Sequence, residues 1–207
     1  MKHLISILIA GLMTLGVSSA VSADEAMTPP QIIDQVANRV LDEMNADRKH
    51  YEDDPSALGD VVRREMLRYL DTVYSARLIL GRHARKASKQ QIADMAEALV
   101  DILIDRYAES LIQFKSEDQI AVLPLKGRNT DRLTRVKAKV KLSSGQYAPV
   151  DFAFHKTKNG WQVFDVMAEG VSYVTTYRNQ IGPEVARDGL DAVIKRLQDG
   201  TEHLNDK

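Results

Sequence analysis

The sequence predicts an α+β protein in which an antiparallel four-stranded sheet packs against a helical subdomain. Three observations carry this. Before Phe114 the apolar residues recur about every 3.6 positions; after it they recur about every 2. Two segments, Arg132–Leu142 and Tyr147–His155, alternate cleanly between apolar and polar, so each strand has one dry face and one wet face. The dry faces need a cover, and the chain offers a long helix whose apolar stripe is wider than one face requires.

The helical block spans residues 29–114. From Pro29 to about Arg48, Ile33, Val36, Val40, Leu41 and Met44 fall at helical spacing. Thr28 is placed to cap this helix, with prolines where a missing N–H costs little. DDPSALGD, Asp53 to Asp60, reads as turn chemistry, followed by a helix from Val61 to about Tyr69 and another from Asp71 to about Arg82. The longest helix starts at Ser88, which forms a capping box with Gln91. Ile92, Met95, Leu99, Leu103, Tyr107 and Leu111 form its stripe, widened by Val100, Ile102 and Ile104, so it is expected to be central and to cover the sheet.

The sheet block spans residues 119–167. Gln119–Leu125 is a short strand. Val136, Ala138, Val140 and Leu142 face inward from the second strand, against Arg135, Lys137, Lys139 and Lys141 outward. SSGQ, Ser143 to Gln146, turns the chain into a third strand with Ala148, Val150, Phe152 and Phe154 inward. KTKNG, Lys156 to Gly160, turns it again into Trp161–Met167. A closing helical block spans residues 172–199, with a helix from Ser172 to about Gln180, a turn over Gly182–Gly189 and a last amphipathic helix carrying Leu190, Val193, Ile194 and Leu197. Residues 201–207 form a polar tail.

The first 23 residues read as a secretory signal peptide: Lys2 and His3, an apolar run from Leu4 to Val17, then small residues, with cleavage expected after Ala23. Residues 24–200 then form one domain. There is no cysteine, which excludes disulfides, thiolate metal sites and a lipoprotein anchor. The formal net charge is -1, so nothing marks a nucleic-acid binder. The five histidines are scattered, and the sequence has no HExxH, GxSxG, P-loop or GxGxxG. No metal, cofactor or catalytic residue is therefore expected. Asp165 and Glu169, four residues apart in an apolar run, are the best acid/base pair available. A structural role is favoured: Glu169 and Gly170 turn the chain, Ser172 caps the following helix, and Asp165 pairs with Arg178 or another cation.

The segment WQVFDVMAEGVSYVTTYR, Trp161 to Arg178, resembles the signature of the MlaC family, also called the toluene-tolerance auxiliary family. LGRHARKASKQQ, Leu80 to Gln91, and Tyr107 resemble further parts of that pattern in order. The family often has phenylalanines where Ala96 and Leu99 stand, and an aromatic where Ile181 stands. The resemblance implies that the sheet is curved and encloses an apolar cavity for acyl chains. It implies a periplasmic phospholipid carrier between an outer-membrane lipoprotein complex and an inner-membrane ABC transporter with MCE-domain subunits, serving outer-membrane lipid asymmetry. On that reading Leu103, Tyr107, Phe152, Phe154, Val166, Val171, Val174 and Tyr177 contact the tails. Asp165, Glu169, Ser172 and Arg178 brace the corner of the cavity. The alternatives are a carrier of another, hopanoid-like lipid, an enzyme with a cone-shaped sheet using Asp165 as general base, and a pure protein-interaction module.

Overall fold

The computed structural model describes residues 27–116, 119–127, 129–142, 144–200 and 204. The expected signal peptide and its cleavage site lie outside the described residues. Helix α1 (Pro29–Ala46) starts as its sequence dictates: Thr28 and Gln31 form a capping box, with the Thr28 N–H donating to Gln31 Oε1 at 2.8 Å. A short helix α2 (Arg48–Asp53) leads into α3 (Pro55–Met66).

DDPSALGD is thus mostly helix rather than turn. Asp54 is the N-cap of α3, its Oδ1 accepting the Ser56 N–H at 3.1 Å, and Pro55 fills the first helical position. An Asp-Pro pair starts a helix as readily as it makes a turn, and the full burial of Leu58 decides between them. Gly59, inside α3, allows a close approach to the next long helix. A Cβ there would sit 2.9 Å from Ile104 Cγ2, a β-branched methyl with little room to move. Gly59→Ala should therefore destabilise by about 1 kcal/mol despite its gain in helix propensity, and Ile104→Ala in the same chain should reverse part of that loss. Urea denaturation of the two single variants and the double variant measures this coupling.

A single 3-10 turn, Leu67–Tyr69, precedes α4 (Thr72–Leu80), which Asp71 caps by accepting the Tyr74 N–H at 3.0 Å. Helix α5 (Lys89–Leu111) begins at the expected capping box, Ser88 Oγ accepting the Gln91 N–H at 3.1 Å and Gln91 Oε1 accepting the Ser88 N–H at 2.9 Å. Just past its end, the Arg48 guanidinium donates to the carbonyls of Ile112 and Phe114, each at 2.7 Å.

The sheet is an antiparallel meander in chain order: β1 (Ile120–Val122), β2 (Leu133–Lys141), β3 (Tyr147–Thr157), β4 (Gly160–Ala168) and β5 (Val171–Ser172). It has five strands, not the four expected. The fifth exists because Glu169 (φ 51°) and Gly170 (φ 84°) are both left-handed, the requirement of a two-residue hairpin whose twist matches its strands. The register slips once. Phe152 faces Val166 and Ala153 faces Asp165, but Phe154 faces Val163, so Phe164 is the extra residue of a bulge. Its freed carbonyl accepts the Ser75 hydroxyl of α4 at 2.8 Å.

Helix α6 (Tyr173–Asp188) runs straight through Gly182 and Pro183, where the sequence suggested a turn. Buried Ile181 and Val185 on either side hold it against the helical core, and packing overrides the poor propensity of both breakers. It stops at Gly189 (φ 87°), and α7 (Leu190–Gln198) follows.

Three apolar clusters result. The largest joins α4, α5, α6 and α7, with Met95, Tyr177, Ile181 and Val193 at its centre. A second joins the C-terminal half of α1 to α2, α3 and the end of α5. The third lies on the inner face of the sheet, where Val136, Phe154 and Val163 meet Ile32 of α1. The cover of the dry face is therefore α1 and not α5. The wide stripe of α5 is consumed by α3, α4 and α7, which pack around it.

Candidate functional site

The inner face of β3 and β4 is built from Phe152, Phe154, Val163 and Val166. The bulge at Phe164 makes this possible. Without it, Val163 and Val166, three residues apart, point to opposite sides of the sheet. Ile32, Ile33 and Val36 of α1 lie over this face, and Met66, Tyr69 and Leu70 close one side. Between them is an apolar pocket of about 40 Å³ lined by Ile32, Ile33, Val36, Met66, Tyr69, Leu70, Phe152, Val163 and Val166. That is far below the roughly 300–1,000 Å³ of a typical ligand cavity. The enclosed cavity expected from the sequence is in this structure a closed seam between α1 and the sheet.

A larger space, about 500 Å³, lies outside this seam as an open cleft lined by Arg82, His83, Arg85, Lys86, Ala87, Gln91, Val185 and Leu190. Its walls mix Arg82, Arg85 and Lys86 with Ala87, Val185 and Leu190, and it opens to solvent. The seam, by contrast, has no charged residue in its lining.

Helix α1 is tied down at both halves, by the sheet cluster and by α3. Across α1 and α3, Arg39 Nη1 lies 3.4 Å from Glu65 Oε2, and Arg64 and Arg68 also reach Glu65, at 3.1 and 2.9 Å. The hydrogen bond from Arg64, reinforced by Arg39 and Arg68, holds the Glu65 carboxyl below its ordinary value of 4.5. A depressed folded pKa gives stability that is fully present above pH 4.5 and lost as pH falls through the lowered value. Acidification through that range should lower the protection factors of α1 amides, the intrinsic pH dependence of exchange being divided out, and Glu65→Gln should reduce that effect.

The residues expected to touch acyl tails divide into groups. Phe152 and Val166 line the seam, and Phe154 is buried beside it. Val174 and Tyr177 lie in the helical cluster, with Leu103 packed against it. Tyr107 shares a 2.7 Å hydrogen bond with the hydroxyl of Tyr173. Val171 is 49% exposed, on the edge strand β5. Ala96, Leu99 and Ile181 are buried in the helical cluster rather than along the seam. Sequence reading missed the α1 and α3 side of the site. Ile33 and Val36 were visible as an apolar stripe, but nothing in their spacing says what they face.

The four polar residues also separate. Asp165 accepts the Ser172 hydroxyl at 2.7 Å and the Val174 N–H at 3.1 Å. Ser172 accepts the Thr175 N–H at 3.0 Å and caps α6. The Asp165–Arg178 pair does not form. The N-terminus of α6 supplies N–H donors and a favourable dipole, so the carboxylate needs no cation. Arg178 instead donates through Nε to the Leu78 carbonyl at 2.5 Å, tying α6 to α4. Glu169 is exposed, its N–H bonded to the Pro149 carbonyl at 2.9 Å. Asp165 thus fastens the outer side of β4 to α6, while the seam lies on the inner side of the same strand.

No group of three or more histidine, aspartate or glutamate side chains that could hold a metal occurs among the described residues. No helix among them is long and apolar enough to cross a membrane.

The architecture defines a class: an antiparallel sheet whose apolar face is covered by a helix of its own, with a second helical core behind it. The sequence profile of the MlaC protein family matches residues 34–199. The chain belongs to that family. It is 25% identical to the toluene tolerance protein Ttg2D of Pseudomonas putida over 189 residues, 91% of this chain and 87% of that one. It is 23% identical to the intermembrane phospholipid transport system binding protein MlaC of Haemophilus influenzae over 176 residues, 83% of this chain and 81% of that one. The structure resembles that of a phospholipid-binding protein from Ralstonia solanacearum, solved with a phospholipid. The TM-score is 0.74 at 20% identity, covering 84% of this chain and 96% of that one.

Proposed function

We propose that this chain is a periplasmic phospholipid carrier that takes acyl chains into the seam between α1 and the sheet. The observation that carries the reading is the seam itself: its nine lining residues carry no charge, and Tyr69 alone has a polar side-chain atom. Membership of the MlaC family and the names of the relatives support the choice of phospholipid over another apolar ligand.

The physics constrains how such a carrier works. Burying one CH₂ gains about 0.8 kcal/mol, so a chain of about sixteen carbons gains about 13 kcal/mol relative to water. A bilayer solvates that chain comparably well, so the carrier need only match its donor and acceptor. A space of about 40 Å³ holds no such chain, so loading requires α1 to lift from β3 and β4. The contacts we assign to the tails are Ile33, Val36, Phe152, Val163 and Val166, with Phe154 behind them. Leu103, Tyr107, Val174 and Tyr177 are reached only if the opening extends into the helical cluster. Residues 24–200 act as one lipid-binding domain exported by the segment before them. Lipid passes between an outer-membrane lipoprotein complex and an inner-membrane ABC transporter with MCE-domain subunits. No observation favours catalysis, since both oxygens of Asp165 are engaged by Ser172 and Val174.

Native mass spectrometry of the exported, processed protein, followed by lipid extraction, tests the reading. Phospholipid at a fixed ratio to the chain is the expected result. A chain that purifies empty and stays empty after incubation with phospholipid vesicles overturns it. A hopanoid in the extract would keep the seam and change the cargo.

A further inference from the structure

The outer face of the sheet is only partly covered. Helices α4 and α6 pack on β4, through Ser75 to the Phe164 carbonyl and through Asp165 to the Val174 N–H, and leave the outer face of β2 bare. Along that strand Arg135, Lys137, Lys139 and Lys141 all point outward, the first three exposed and Lys141 half-buried. Alternate residues of a strand lie about 7 Å apart, so the four cations form a straight row about 20 Å long.

The row is poorly compensated. Asp151 of β3 faces it, with Oδ2 at 3.4 Å from Lys137 Nζ and 3.8 Å from Arg135 Nη1. Lys139 stands opposite Pro149 and Ala121, and Lys141 opposite Tyr147, so no acid is in register with either. Neither lysine makes an ion pair among the described residues. Other basic residues do find acids: Arg63 pairs with Asp101, Arg64 with Glu43, and Arg196 with Glu184 and Asp188. The whole chain carries a formal charge of -1, so this is a positive face on a slightly acidic molecule. At one end of the row Tyr147, directly opposite Lys141, is 53% exposed.

We propose that this face docks the protein on the surface of an anionic phospholipid bilayer. Lipid phosphates are mobile and adjust to a row of fixed pitch, and an anionic leaflet attracts every basic side chain near it. Neither of the two spaces described above lies along the row. An exposed tyrosine at the end of the row suits the boundary between headgroups and acyl chains. The docking face lies on the opposite side of the sheet from the seam and shares no residue with it, so it stands or falls apart from the carrier reading.

Flotation of the exported, processed protein with vesicles tests this. One set is phosphatidylcholine alone; the other contains about 30 mol % phosphatidylglycerol. Binding to the anionic vesicles only, lost at about 0.5 M salt, is expected. The double variant Lys139→Ser, Lys141→Ser should bind about 25-fold more weakly. A control with the same charge change on exposed helical residues, Lys49→Ser and Lys89→Ser, should bind like the parent. Circular dichroism and thermal melting verify that both variants fold. Absence of anionic preference overturns the proposal, and is the result expected if the row receives an acidic protein instead. Equal losses in the two double variants, or none in the first, also overturn it. The lipid content of the same preparation is measured separately. A protein that purifies lipid-free, stays lipid-free after incubation with phospholipid vesicles and still floats with anionic ones removes the carrier reading and keeps the docking face.

Discussion

Phe154→Ala is expected to cost about 4 kcal/mol of stability, because the ring is fully buried between Val136, Val163 and Ile32 and its removal leaves a cavity. For a domain of this size that lowers Tm by about 12 °C. Phe152, two residues earlier on the same face, should behave differently. Its ring is half-buried and borders the seam, so Phe152→Ala should cost about half as much. Its larger consequence should be on cargo, since the seam widens where tails enter. Urea denaturation together with extracted lipid per chain separates the two roles. If Phe152→Ala cost as much as Phe154→Ala and left lipid content unchanged, the seam would be ordinary core.

Asp165→Ala should cost about 3 kcal/mol. The substitution strips the Val174 N–H and the Ser172 hydroxyl of their shared acceptor at the start of α6, and removes a negative charge from the positive end of that helix. Asp165→Asn keeps an oxygen for the N–H and should cost about 1 kcal/mol. Both are read from thermal melts in parallel with lipid loading. Because Asp165 is on the far side of β4 from the seam, loading of the folded fraction should be unchanged. A variant as stable as the parent would show that the carboxylate does not brace the strand to the helix. A folded variant that fails to load would show that it acts on the seam as well.

Much of the fold was legible because local rules and packing agreed. Thr28 with Gln31 and Ser88 with Gln91 announce helix starts through side-chain geometry that needs no tertiary help. Alternation in β2 and β3 fixes two faces, since a slip of one residue turns every side chain over. What stayed illegible was settled by long-range contacts. Pro183 reads as a stop, yet Ile181 and Val185 carry the helix across it. Asp54-Pro55 reads as a turn, yet the burial of Leu58 makes it a helix start. The apolar stripe of α5 announces burial but not the partner, and the partner proved to be other helices. Half of the seam was legible, in Phe152 and Val166. The α1 half was not, because an amphipathic helix does not state what it covers.

The bulge at Phe164 has a consequence for how this chain tolerates change. Along β4 one unpaired residue sets the phase of everything after it, so that Val166 faces the seam while Asp165 and Met167 face the helices. Deleting that single residue leaves Val163 and Val166 two positions apart, so regular alternation keeps both sets in place, whereas inserting one residue directly after Asp165 turns Val166 and Met167 over. Substitutions in Trp161–Ala168 are therefore expected to be graded in effect, whereas a one-residue insertion beyond the bulge acts as a frameshift in three dimensions. In a deletion scan across β4, loss of Phe164 should be tolerated best, while the hairpin turn at Ser144–Gln146, remote from both clusters of the helical body, should accept added residues.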